Sequence, residues 1–121
     1  MALPVLLQDW TSIQGNSSSD SVIQSADAWL DLQSFTDAIF YIERKDFSGA
    51  GLTVHYQTSP TSDDSLFQDM ATVSISATGL TQTIVLFATA SVPLARWVRW
   101  KVDASAAWRI TFRVWMVVRA G

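Results

Sequence analysis

Apolar and polar residues alternate with a period of two through most of this chain. Nowhere does a period near 3.6 persist beyond a turn or two, so the pattern predicts strands and no long helix. The alternation is longest at the C-terminal end. In Trp108–Arg119, the side chains of Trp108, Ile110, Phe112, Val114, Met116 and Val118 make one continuous apolar face. Arg109, Thr111, Arg113, Trp115 and Arg119 point the other way. In residues 96–103, Val98, Trp100 and Val102 share one face, and Trp97, Arg99 and Lys101 share the opposite one. The small residues 104–107 between the two runs predict a turn that pairs them as a hairpin.

Upstream, residues 5–13 read as an extended arm, and the polar run 15–21 as the most flexible internal loop. Short strands are expected at 22–24 and 28–32. A clear strand follows at 38–45, with Phe40 and Ile42 on one face and Ile39, Tyr41 and Glu43 on the other. Residues 46–51, with two glycines, turn the chain into a half-buried strand in which Leu52, Val54 and Tyr56 alternate with Thr53, His55 and Gln57. The loop 58–64 returns through Leu66, Phe67 and Met70 to a strand at 73–76. Gly79 reads as a turn, and the β-branched run 83–89 as a central strand. Strands at this spacing predict an all-β, single-domain antiparallel β-sandwich of jelly-roll type, with residues 1–14 as the arm and 15–121 as the sandwich.

Composition narrows this further. With 121 residues and an apolar fraction of 49%, the chain can bury one core and is not disordered. It has no cysteine, which excludes disulfides and thiolate metal sites. That favours a reducing compartment, or a core sufficient without staples. The first residues lack a positive segment and a long apolar run, so neither a signal peptide nor a membrane segment is expected. Charge is uneven. Residues 1–70 hold ten acids against Arg44 and Lys45, whereas residues 71–121 hold six cations against Asp103. Such asymmetry means either two complementary surfaces or, more simply, charges that interleave as a solvated rim.

Catalytic patterns are sparse. His55 is the only histidine, it sits mid-strand, and no G-x-S-x-G element is present. Zinc lacks ligands. Calcium has only Asp63, Asp64 and Asp69, beside Ser59 and Ser62, as candidates in and after the acidic loop. No enzyme activity, metal or cofactor is therefore expected. The binding candidates are Trp97, Arg99, Lys101, Arg113 and Trp115, with Arg109 beside them. If the terminal runs pair, these form one aromatic and cationic patch suited to a protein neighbour, a glycan or single-stranded nucleic acid. The other possibility is that Trp97 and Trp115 are covered and the arginines snorkel to the rim. A net-acidic chain makes nucleic acid the least expected partner.

Residues 28–32 (AWLDL), Thr58-Ser59 with Asp63-Asp64 and Phe67, residues 95–100 (ARWVRW) and residues 110–114 (ITFRV) together resemble the discoidin, or galactose-binding-like, jelly roll over roughly residues 26–118. That likeness implies the fold and a carbohydrate-binding module. It departs in lacking the cysteines that often tie the family's ends and in its short ligand-binding loops. The small, cysteine-free format also resembles accessory proteins of tailed-phage particles. Two functions follow. The first is a non-enzymatic structural protein, a capsid decoration or tail accessory of a virion or cytoplasmic assembly. It would engage copies of itself or a scaffold, with Leu3, Val5, Leu6, Leu7 and Trp10 forming an assembly arm. The second is a discoidin-like carbohydrate binder.

Overall fold

The computed structural model describes residues 2–16, 20–33, 35–49, 51–76, 78–86 and 89–120. Of the polar loop 15–21 expected to be the most flexible internal segment, residues 17–19 lie outside them. The described strands are β1 (Ala2–Gly15), β2 (Ser21–Ile23), β3 (Leu30–Asp31), β4 (Asp37–Ser48), β5 (Leu52–Ser59), β6 (Gln68–Ile75), β7 (Gly79–Val85), β8 (Trp97–Asp103) and β9 (Trp108–Arg119). They form two antiparallel sheets. One has the order β1-β9-β4-β7; in the other, β6-β5-β8 is completed by β2 and β3, both on the far side of β8. The chain is an all-β sandwich.

Its topology has a simple origin. With β2 and β3 counted as one interrupted strand, β1 pairs with β9, β2/β3 with β8, β4 with β7, and β5 with β6. This is one long antiparallel ribbon with its bend between β5 and β6. Rolling that ribbon up adds the β4–β9 and β5–β8 pairings and creates the two sheets. The result is the wrapping of a jelly roll.

Two expectations are corrected here. The terminal runs do not form a hairpin, because β8 and β9 lie in different sheets and residues 104–107 cross between them. Strand parity is satisfied either way. Val98, Trp100 and Val102 meet the apolar face of β9 across the core rather than beside it, with Trp100 and Phe112 edge to face at 5.0 Å. Nor is the N-terminal segment an arm apart from the sandwich. Its backbone pairs with β9 from Ala2↔Arg119 to Gly15↔Trp108, and Val5 and Leu7 pack on the core. Those backbone groups need partners, and β9 supplies them. The register slips around Gln8, and the Leu7 carbonyl there accepts a 2.7 Å bond from the buried Gln24 side chain. At the far end Gly15 is sterically required: a Cβ on it would lie 2.2 Å from the Trp108 indole nitrogen.

Smaller differences follow the same logic. Residues 26–28 form a 3-10 turn before the two-residue β3, and Gly79 opens β7 rather than ending a turn. The run expected as a central strand is the edge strand β7, ending at Val85; Phe87 and Ala88 lie outside the described residues.

The core is the set of inward faces: Phe40 and Ile42 of β4, Val54 and Tyr56 of β5, Val98 and Val102 of β8, and the six even-numbered residues Trp108 to Val118 of β9. Phe40 and Tyr56 stack across it at 4.0 Å. Phe112→Ala should therefore cost about 3–5 kcal/mol in urea unfolding, whereas Trp115→Ala on the outer face of the same strand should cost under about half as much. Equal losses would contradict the assigned faces.

Candidate functional site

The sandwich has two outer faces, and the expected binding residues are divided between them. Trp97, Arg99 and Lys101 belong to β8 and lie on one face. Arg113 and Trp115, with Arg109, belong to β9 and lie on the opposite face. The single patch does not exist, because it required the hairpin.

On the β8 face Arg99 is covered by neighbouring side chains, while Trp97 and Lys101 are half-buried and Ile23, in register with Lys101, is exposed. Arg99 is 5% exposed. Its guanidinium lies 4.0 Å from the Phe67 ring centroid and 4.9 Å from that of Trp29, and the two rings meet edge to face. Its Nε donates to Gln57 Oε1 at 2.8 Å, and Nη1 donates to Asp64. The 3-10 turns at Ala26–Ala28 and Asp64–Leu66 carry Trp29 and Phe67 onto this face from opposite sides. Arg99 is therefore the centre of a small packed cluster, not a group free to meet a ligand. Beside it, His55 Nδ1 bonds Asp69 at 2.9 Å and Nε2 bonds Asp103 at 3.1 Å.

The acidic residues considered for calcium have separate partners. Asp63 accepts from the Ser65 backbone and hydroxyl, Asp64 from Arg99, and Asp69 from His55 and Gln57. Among the described residues no three metal-ligating side chains converge.

The β9 face is different. Its pairings align residues in rows across the sheet: Pro4–Val117–Ile39–Ile84, then Leu6–Trp115–Tyr41–Gln82. These two largely apolar rows lie side by side. One flank is closed by the Arg119–Asp37 ion pair at 2.5 Å, the other by Arg113–Glu43 at 2.7 Å. Beyond Glu43 in the register lies Leu80. Leu80 is 63% exposed, Ile84 55% and Trp115 36%, so this face presents large apolar side chains to solvent. A shallow pocket lined by Ile39, Leu86 and Val117 opens at the Asp37–Arg119 end.

Of the residues assigned to an assembly arm, Leu6 and Trp10 lie on this face, Leu3 is exposed near the start of β1, and Val5 and Leu7 are committed to the core. Trp10 is held between cations, with Lys45 Nζ at 4.0 Å and the Arg113 guanidinium at 4.8 Å from its ring centroid; Arg113 also lies 5.8 Å from Trp115. Sequence reasoning placed Trp115 here but missed Ile39, Tyr41, Leu80 and Ile84. The available signal was that β4 is apolar on both parities, which marks a strand with two faces to cover.

The molecule is thus a β-sandwich in which Arg99 is enclosed on one outer face and the most exposed large apolar side chains, Leu80 and Ile84, lie on the other, open one. Comparison with solved structures agrees on the fold. The PBSX exported protein XepA superposes with a TM-score of 0.61 at 16% identity, over 98% of this chain and 37% of that one. The K1 cleaved adhesin domain of Lys-gingipain from Porphyromonas gingivalis W83 gives 0.56 at 14%, over 100% and 99%. The infectious bursal disease virus VP2 subviral particle gives 0.50 at 9%, over 98% and 32%. The chain spans about a third of the XepA and VP2 chains and nearly all of the adhesin domain. At these identities the likeness is one of fold. It supports a β-sandwich and gives the discoidin assignment no support. No protein-family model matches the sequence, and no curated protein does. No helix among the described residues is long and apolar enough to cross a membrane.

Arg99→Ala removes the stacked guanidinium and leaves the Gln57 acceptor without its donor, for an expected loss of about 2–3 kcal/mol. Arg99→Lys should recover little, since an ammonium cannot stack and fork in the same way. A change below about 0.5 kcal/mol in urea unfolding would show that the cluster is incidental.

Acid should also destabilise the fold. Burial alone would raise the Asp69 pKa, but hydrogen bonds from Gln57 and His55 and the nearby His55 and Lys101 charges hold it below its ordinary 3.8. Asp31 is held below 3.8 by Arg96, and Asp63 by the Ser65 N–H and hydroxyl. Depressed carboxylates stabilise the fold above their unfolded values and lose that contribution as pH falls through the folded ones. Tm should be level down to about pH 5 and fall below about pH 4, with a shallower fall in Asp69→Asn. An acid limb with the same slope in that variant would exclude Asp69 as a contributor.

Proposed function

We propose that this chain is a non-enzymatic structural subunit. In this reading it is a virion- or particle-associated β-sandwich, of capsid-decoration or tail-accessory kind, that docks its β1-β9-β4-β7 face on copies of itself or on a larger protein scaffold. One observation carries the reading: two largely apolar rows, with Ile84 and Trp115 exposed, lie between flanking ion pairs, an apolar centre with a polar rim. The VP2 fold neighbour, named as part of a subviral particle, is compatible with it. A hydrolytic role finds little support. Both ring nitrogens of His55 face carboxylates, so neither is placed to take a proton from a hydroxyl nucleophile.

The alternative is a discoidin-type carbohydrate-binding module. It is favoured by a single feature, the exposed Trp115 ring beside Arg113, which offers a stacking surface with a polar edge.

Sedimentation separates the two. The assembly reading expects multimers, or co-sedimentation with a particle, and their loss in the Trp115→Glu/Val117→Glu double variant with little change in Tm, because both side chains point away from the core. A monomer up to millimolar concentration, with no particle association and with glycan-array signal that Trp115→Ala abolishes, would replace assembly with sugar binding.

A further inference from the structure

The sheet that carries the open face ends at β7, and this edge lacks the protections seen at the others. Exposed strand edges are templates for pairing and are normally blunted by charge, proline, irregularity or brevity. At the opposite end of the same sheet, β1 carries Pro4, Asp9 and register slips around Gln8. In the second sheet, β6 carries the exposed Asp69 and a register slip, and β2 and β3 span three and two residues. By contrast β7, GLTQTIV, holds seven residues in unbroken register with β4 and has neither charge nor proline. Among the described strands, none pairs with its far side.

Its sequence is also symmetric in polarity. Reading outward from Gln82, Thr81 mirrors Thr83 and Leu80 mirrors Ile84. Leu80, Gln82 and Ile84 lie on the open outer face, while Thr81, Thr83 and Val85 face inward. Thr81 also accepts a 2.7 Å bond from Arg44, which anchors that parity.

We propose that β7 is a homodimerisation edge, pairing antiparallel with β7 of a second copy about a two-fold axis through Gln82. In that register Leu80 lies against the partner's Ile84, Thr81 against the partner's Thr83, and Gln82 against the partner's Gln82. Every pairing is apolar with apolar or polar with polar, and no like charges oppose. Moving the register by one residue would put inward side chains on the outer face, and moving it by two would set leucine or isoleucine against glutamine. An isologous interface requires a surface complementary to itself, and this strand meets that requirement over residues 80–84. The product is one eight-stranded sheet in which the Leu6–Trp115–Tyr41–Gln82 row runs on into its counterpart, while the Ile84 row meets the partner's Leu80, which stands in register with Glu43. The inference rests on the assembly reading and adds its contact geometry.

The chain has no cysteine, so one introduced thiol reports cleanly. Gln82→Cys is expected to form a disulfide-linked dimer under mild oxidation, and Ser74→Cys on the β6 edge is expected to stay monomeric. Gln82→Lys and Gln82→Glu should each sediment as monomers, and an equimolar mixture of the two should restore the dimer. Equal cross-linking at both cysteines, or a dimer that survives Gln82→Lys, would overturn the proposal. Larger multimers that persist in Gln82→Lys without cross-linking at Gln82→Cys would refute edge pairing and leave docking by the open face standing. A wild-type chain that is monomeric throughout would refute edge pairing, and one that also fails to associate with a particle would refute docking by the open face as well.

Discussion

The structure depends on β9 being buried on one side along its whole length while hydrogen-bonded on both edges. Its six inward side chains, from Trp108 to Val118, are all essentially inaccessible, and β1 and β4 flank it from end to end. A strand in that position must be long, regular and strictly alternating, and this one is. The opposing layer then follows: β8 and β5 lie across the core, and Trp100 and Tyr56 meet Phe112 and Phe40. Because β9 comes last in the chain and its partners β1 and β4 come early, the first sheet is complete only once the two ends of the chain have met. Such non-local pairing is the slow, high-contact-order kind.

The same topology accounts for the uneven charge. Four arginine ion pairs join the basic later part of the chain to the acidic earlier part: Arg96 with Asp31, Arg99 with Asp64, Arg113 with Glu43 and Arg119 with Asp37. Early strands pair with late ones, so an acidic start and a basic end become neighbours across the ladders rather than separate surfaces. Where such a pair is exposed, as in Arg96 with Asp31, it contributes little stability. Their greater effect is on register, since a slipped strand would set like charges against each other.

Alternation was legible in the sequence, and partnership was not. The inward residues of β8 and β9 could be read by parity alone, and they are buried as expected. Parity says nothing about whether two such strands lie side by side or face to face, so a hairpin and a crossing fit residues 96–119 equally well. The fate of a cation on the outer parity was equally hidden. Arg99 and Arg113 have the same strand context, yet one is enclosed by Phe67 and Trp29 and the other stays at the surface beside Glu43 and Trp10. What separates them is the arrival of two short turns from distant parts of the chain. The N-terminal segment shows the converse: its apolar residues suggested a free arm, because nothing local reveals that β9 has an edge for it to fill.

The contrast between the two outer faces gives the molecule a direction. On one, Arg99 and His55 join their aromatic, amide and carboxylate neighbours in contacts that are satisfied within the chain. On the other, ion pairs occupy the two flanks and leave the rows between them apolar. If that apolar surface were merely tolerated, charged side chains would be expected among Ile39, Tyr41, Ile84, Trp115 and Val117, since outward positions of an edge sheet accept them at little cost. The chain instead places its charges around those positions. In the assembly proposed above, this arrangement would keep water at the rim of the docked surface and away from its centre, where burial of Trp115 and its neighbours would contribute most.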